Sequence, residues 1–179
     1  VVDPLFDRTT TRDRRFDPRG LAFYKDALYV VDKGSNTVRR VDLKAERPTA
    51  EVFVGKADGD VSKDGVGESA VFRNIGQIKS DGSGSLYLTD DYFVRKIDIA
   101  TRAVTTVAGT EFADRASLDG EGHIAKDVVD ESYWSARPGE VGPLPGTLDC
   151  PAGLAVLEAH KLAVSEPCVG MILLANGVK

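Results

Sequence analysis

The feature that most constrains this chain is an internal repeat. Gly20 and Gly76 lie 56 positions apart, as do Val38 and Val94, and Asp64 and Asp119 lie 55 apart. A fixed recurrence of this length indicates stacked structural units rather than one irregular core. Five short segments recur in the same order, at 16–23 and 72–77, 28–32 and 86–90, 38–43 and 94–99, 51–55 and 105–109, and 64–70 and 119–125.

A third, incomplete copy runs from Asp149 through Gly153 to Leu174. Gly76 and Gly153 are 77 positions apart, and the excess over 56 lies between positions 126 and 147, which we interpret as an inserted loop. The repeat therefore divides the chain into a first unit at 16–71, a second at 72–125 and an incomplete third at 148–179. Residues 1–15 form an N-terminal segment, a candidate last strand of a preceding unit.

Local patterns within each unit are typical of strands. The runs at 28–31 and 86–89 are rich in β-branched and aromatic residues, and the segments at 33–36 and 81–84 carry turn residues. Eighteen Gly and eight Pro also favour turns over long helices. Each unit is therefore predicted to be a meander of four short antiparallel strands. Such a sheet buries both faces only when copies stack around an axis, which predicts an all-β fold: a β-propeller of about two and a half to three blades in a partial ring.

The repeated segments resemble those of the NHL-repeat propellers. The order Pro-x-Gly-Leu-Ala, Leu-Tyr-Val-x-Asp, Val-Arg-Arg-Val-Asp-Leu, Val-x-Gly and Asp-Gly-x-Gly-x-x-Ala-x-Phe covers residues 16–125, and part of it returns at 149–174. The second unit departs from the pattern at Asn74, which replaces the Pro, and the third has Gly170-Met-Ile-Leu in place of the charged segment. The resemblance implies an NHL-like propeller and, for many members, a role as an interaction platform.

The number of units leaves closure of the ring open. Propellers typically have four to eight blades. The chain could be part of a longer propeller, two chains could complete a six-bladed ring as a homodimer, or the sheets could stay open with covered edges. The start at Val1 rather than Met favours a processed chain or an excised fragment, and the compartment stays unknown.

Charge and hydropathy exclude some classes of partner. Lys plus Arg is 23 and Asp plus Glu is 28, so the net charge is −5 and nucleic acid is a poor candidate. No apolar run approaches the roughly 20 residues of a membrane span. The two cysteines, Cys150 and Cys168, are either bridged or both buried thiols.

One segment carries oxygen ligands at alternating positions. Asp58, Asp60 and Asp64 make it a candidate site for Ca²⁺, although Lys63 and Ser69 occupy the places where an EF-hand loop needs Gly and Glu. The competing interpretation is a turn closed by Asx-type hydrogen bonds. We expect no other metal and no cofactor.

Repeated charged residues are expected to be structural. Asp32 and Asp90 occupy the same place after the second strand, and a residue used identically in two units is most simply a hydrogen-bond acceptor for neighbouring turns. Arginines of the third strand are expected to form a solvated, ion-paired stripe that an acidic protein partner could recruit. The candidate partner-binding residues are Arg39, Arg40 and Arg95, with Trp134 and Tyr133 of the inserted loop as aromatic anchors.

These observations favour a non-enzymatic, NHL-type propeller scaffold for protein–protein interaction. The alternative is a fragment of a propeller lyase or hydrolase with a metal in the axial channel, which the resemblance implies for some members. The sequence holds no Gly-x-Ser-x-Gly segment, no P-loop and no dinucleotide fingerprint, so no catalytic residue is assigned.

Overall fold

A computed structural model describes Leu5 and residues 15–57, 59, 61–109, 148, 150–158, 161–167 and 170–176. Within these residues the chain forms β-strands, one 3-10 turn at Gly67–Ser69 and no α-helix, so the predicted all-β fold is confirmed. None of the described residues forms a helix long and apolar enough to cross a membrane. The strands are β1 (Pro18–Tyr24), β2 (Ala27–Asp32), β3 (Thr37–Asp42), β4 (Ala50–Val54), β5 (Gly65–Val66), β6 (Ile75–Ser80), β7 (Ser85–Asp90), β8 (Phe93–Asp98), β9 (Ala103–Ala108), β10 (Gly153–Glu158), β11 (Lys161–Glu166) and β12 (Met171–Asn176).

The strands form three antiparallel sheets. Sheet one has the order β1-β2-β3-β4, sheet two the order β5-β9-β8-β7-β6, and sheet three the order β10-β11-β12. The four-stranded meander expected for the first two units is therefore confirmed. Strand β5 departs from expectation, because it follows sheet one in the chain but pairs with β9 of sheet two.

Sheet two lies between the other two sheets. Val31 and Val38 of sheet one share a buried cluster with Leu88 of sheet two. Tyr87 and Val94, on the other face of sheet two, share a second cluster with sheet three. Both interfaces use alternate residues of each strand, as face-to-face stacking requires. The arrangement is propeller-like.

The inner strands approach one another closely. A Cβ atom on Gly20 of β1 would lie 2.8 Å from the carbonyl oxygen of Gly76 on β6. Glycine therefore fits where β1 approaches the backbone of β6. At Gly153 of β10 a Cβ atom would instead meet the Ser165 hydroxyl of β11, the next strand of the same sheet, at 2.6 Å.

The structure shows the state of one of the two cysteines. Cys150 is disulfide-bonded, so a buried thiol is the wrong interpretation for this residue. The only other cysteine of the sequence, Cys168, lies outside the described residues.

Candidate functional site

The repeated carboxylates hold turns, as predicted. Asp32 Oδ1 accepts hydrogen bonds from the backbone N–H of Asp17 and of Gly34, at 2.9 and 3.1 Å. Asp90 Oδ1 accepts from the N–H of Arg73 and of Asn74, at 2.9 and 3.1 Å. Both carboxylates are fully buried, so these bonds satisfy acceptors that would otherwise be costly to bury.

The prediction of a solvated stripe is wrong for two of its arginines. Arg39 and Arg95 are 8% and 1% exposed. Arg39 Nε donates to Asp32 Oδ2 at 2.7 Å, and Arg95 Nη1 donates to Asp90 Oδ2 at 3.1 Å. Each guanidinium is buried because the repeated carboxylate of the same sheet neutralises it, and neither is available to a protein partner.

Asp64, the described member of the candidate calcium set, is occupied by protein donors. Its carboxylate accepts from Arg95 Nη2 at 2.8 Å and from the backbone N–H and hydroxyl of Thr106, at 3.1 and 3.0 Å. Asp58 and Asp60 lie outside the described residues, as do Trp134 and Tyr133. The part of the chain that is described contains no group of three His, Cys, Asp or Glu residues that could hold a metal ion.

Arg40 behaves differently from its neighbour, because its side chain is 42% exposed and lies in a cleft between sheets one and two. The cleft has a volume of about 600 Å³ and opens where the β1–β2 and β3–β4 connections of sheet one meet the β6–β7 turn of sheet two. Sheet one lines it with Tyr24, Lys25, Asp26, Ala27, Tyr29, Arg40, Asp42 and Lys44, and sheet two with Ser83, Gly84, Ser85, Asp98, Ile99 and Ala100.

Charges of both signs line the cleft, and most are paired within it. Lys44 Nζ lies 2.7 Å from Asp26 Oδ2, and Arg40 Nη2 lies 3.5 Å from Asp42 Oδ2. The hydrogen bond to Asp26 raises the pKa of Lys44. Lys25 instead lies over the Tyr24 ring, 5.1 Å from its centroid.

Asp98, at the sheet-two side, is already hydrogen-bonded. Its Oδ1 accepts from the backbone N–H and the hydroxyl of Thr101, both at 2.7 Å. These bonds lower the pKa of Asp98 and keep it ionised at neutral pH. Arg40 and Lys44 are paired with Asp42 and Asp26, and Asp98 is held by Thr101, so Lys25 is the charge of the cleft that is freest to meet a ligand.

The wall on the sheet-two side is a rigid turn. Asp81 Oδ1 accepts hydrogen bonds from the backbone N–H of Ser83, Gly84 and Ser85, at 2.8, 3.1 and 2.9 Å. Gly82 and Gly84 have φ values of 72° and 125°, which glycine adopts without strain. The turn residues predicted at 81–84 are thus confirmed.

The floor of the cleft contains a buried phenol. Tyr29 is 2% exposed, and burial raises its pKa, while a hydrogen bond with Arg40 opposes that rise. Its ring packs edge-on against Phe53, with centroids 5.1 Å apart. Arg40 is thus anchored at the floor and exposed at the mouth.

Sequence reasoning identified Arg40 but missed most of the cleft. Tyr24, Lys25 and Lys44 lie at the ends of strands or in turns, and their own neighbourhoods in the sequence carry no motif. Only the stacking of two repeats brings these residues opposite Ser83 and Ser85. The usable signal was the repeat itself, since equivalent turns of adjacent units lie at the same edge.

No family model and no curated protein matches this sequence. Solved structures from Bacteroides thetaiotaomicron do match its fold. One, described as a structural genomics protein of unknown function, is 23% identical with a TM-score of 0.59 over 83% of this chain. Another, described as a putative phosphatase, is 17% identical with a TM-score of 0.63 over 90% of this chain, and an auxiliary nutrient binding protein is 18% identical with a TM-score of 0.61 over 90%.

These similarities concern the fold alone. The chain spans 32%, 34% and 38% of the length of the three solved structures, respectively. Roughly a third of each is therefore matched by this sequence.

Proposed function

We propose that this chain is part of an NHL-type β-propeller that acts as a non-enzymatic scaffold and binds a segment of a protein partner in the cleft between sheets one and two. The observation that carries the proposal is the lining of the cleft by residues from the turns of two rigid sheets. Recognition residues are commonly placed on loops held by such a frame.

The chemistry of the cleft suits an extended acidic peptide. Lys25 and Arg40 supply positive charge at the mouth, while Asp98 is engaged with Thr101. Ser83 and Ser85 add hydroxyl groups, and the Tyr24 ring adds an apolar contact surface. A peptide carboxylate would replace the water around Lys25 and Arg40 without displacing an existing buried pair.

A second candidate is a small nutrient molecule. The volume of about 600 Å³ lies within the range typical of small-molecule sites. Two of the solved structures with this fold are described as auxiliary nutrient binding proteins, one from Bacteroides thetaiotaomicron and one from Bacteroides ovatus. The enzyme alternative, a lyase or hydrolase fragment with an axial metal, would be supported by stoichiometric metal in the purified protein.

The test is a binding assay with fluorescent twelve-residue peptides of acidic, basic and neutral composition. Acidic peptides should bind the wild type, and a Lys25→Gln/Arg40→Gln variant should bind them at least about tenfold more weakly. The matched control is Lys33→Gln/Arg73→Gln, which makes the same change in net charge at the opposite ends of the strands. Arg73 also lies 3.5 Å from a carboxylate, Asp91, just as Arg40 lies 3.5 Å from Asp42.

Equal weakening by both double variants would show that general charge, not the cleft, drives binding. If no peptide binds but monosaccharides or amino acids do, and the cleft variant alone loses them, the small-molecule candidate replaces the scaffold. If nothing binds differently to the wild type and the cleft variant, the cleft is not the site.

A further inference from the structure

Corresponding positions on the first strands of the three sheets differ sharply in burial. Leu21, Ile78 and Leu154 pair with residues that lie two positions before the acidic end of the second strand, Val30, Leu88 and Val164. Ile78 and Leu154 are 0% and 6% exposed, because each faces the sheet before it. Leu21 is 60% exposed, so none of the described sheets packs against this part of sheet one, although Phe16 clusters with the buried Val30 and Val41 beside it.

The opposite face shows the same contrast at the other end of the stack. Val38, Val94 and Ile172 pair with Val31, Thr89 and Ser165 on the second strand of each sheet. Val38 and Val94 are fully buried by the sheet that follows. Ile172 is 76% exposed.

Each end of the stack therefore presents an apolar face. The leading face belongs to sheet one: Leu21 and Phe23 of β1 are 60% and 59% exposed, and Val52 of β4, separated from them by the buried Val30 and Arg39, is 37% exposed. The trailing face belongs to sheet three and contains Leu157, Ile172 and Leu174, which are 51%, 76% and 56% exposed. Exposed apolar residues grouped in this way mark an interaction surface.

We propose that the trailing face of one copy of this chain packs on the leading face of a second copy, head to tail. Two such contacts close a ring of six sheets. The occupant follows from the interfaces already in the molecule: on the leading face Leu21 stands at the position of Ile78, which packs against sheet one, and on the trailing face Ile172 stands at the position of Val38 and Val94, which pack against the next sheet. The contact between the two copies would repeat the packing of sheet one on sheet two and of sheet two on sheet three.

Closure of the ring favours an assembly of two copies of the chain. A heterologous contact either closes into a ring or grows into a filament. Three sheets from each of two copies give six, within the four to eight of known propellers. Neither face includes the cleft, so this proposal and the proposed function can fail separately.

The experiment measures mass by light scattering during size exclusion. The wild type should have twice the chain mass of 19.2 kDa. A leading-face variant, Leu21→Asp/Phe23→Asp, and a trailing-face variant, Ile172→Asp/Leu174→Asp, should each have the mass of one chain, with dimer dissociation constants raised by roughly a hundredfold or more. All four residues are exposed, so the variants should fold, as circular dichroism would verify.

Mixing the two variants provides the decisive readout. Each retains the face that the other has lost, so the mixture should recover dimers through one intact contact. Symmetric pairing of two trailing faces would instead leave the leading-face variant dimeric alone, and that result overturns the proposal. A monomeric wild type overturns it as well. Val66→Asp is the control, since Val66 is 58% exposed on β5 and belongs to neither face.

Discussion

Sheets two and three come from the same repeated pattern but occupy different surroundings. Sheet two is covered on both faces and contains the buried pair of Arg95 and Asp90. Sheet three is covered on one face, and Leu173 takes the position of Arg95 beside Glu166. Sheet one, which also packs against only one other sheet, buries the equivalent pair of Arg39 and Asp32, so the pair follows the residue at this position of the third strand and not the number of neighbouring sheets.

The largest expected loss of stability comes from giving sheet two the residue that sheet three has at this position, a leucine in place of Arg95. Arg95→Leu should lower the free energy of unfolding by about 3–5 kcal/mol, because it leaves the Asp90 carboxylate buried without its cation. Urea denaturation at neutral pH measures the loss.

Two further variants isolate the cause of that loss. Arg95→Leu/Asp90→Asn should recover part of the stability, since no unpaired buried charge remains. Arg19→Leu, where the arginine side chain is 59% exposed and pairs with Asp17, should change stability by less than about 1 kcal/mol. A loss below about 1 kcal/mol for Arg95→Leu would show that the buried pair is dispensable.

The next prediction compares Val94 with Ile172, which occupy equivalent positions. Val94→Ala should cost roughly 2 kcal/mol, because it opens a cavity between sheets two and three. Ile172→Ala should cost no more than about 0.5 kcal/mol in the monomeric Leu21→Asp/Phe23→Asp background, where no second copy covers it. Thermal or urea unfolding of both variants in that background checks the difference, and equal losses would contradict it.

The smallest effect on stability concerns the turn of sheet two at 81–84, between β6 and β7. Burial opposes ionisation of Asp81, but hydrogen bonds from Ser85, Ser83 and Gly84 outweigh it and lower the pKa below the usual 3.8. Asp81→Ala should therefore cost about 1–2 kcal/mol at neutral pH.

The pH dependence of this loss follows from the direction of the shift. A lowered pKa stabilises the fold above the usual value, and the stabilisation disappears as the pH falls through the lower folded value. The difference between the wild type and Asp81→Ala should be constant above about pH 5 and shrink below 3.8. A constant difference down to pH 2 would exclude the carboxylate as its source. Asp26→Ala, in the corresponding turn of sheet one, should show a smaller loss because its partner is the exposed Lys44.

Strand patterns and the repeat predicted the meanders and the structural role of Asp32 and Asp90. The burial of Arg39 and Arg95 was not predictable from the pattern, because Arg39 and Arg40 are adjacent and either could face inwards. Pairing with Asp32 decides it for Arg39. The cleft depends on how two sheets stack, and no single unit of the repeat encodes that contact. Strand β5 was missed because two residues carry no recognisable alternation.

The link between the first two sheets joins their backbones as well as their cores. Gly67 donates its N–H to the carbonyl of Arg102 in sheet two, and its own carbonyl accepts from Gly55 at the end of sheet one, at 2.9 and 3.1 Å. Arg102 Nε in turn donates to the carbonyl of Phe53 at 2.9 Å. The backbone of Gly67 thus links sheets one and two by hydrogen bonds to both. Amide protons on β4 and β9 should consequently become exchangeable in a single cooperative opening, because separating either edge breaks the same shared bonds.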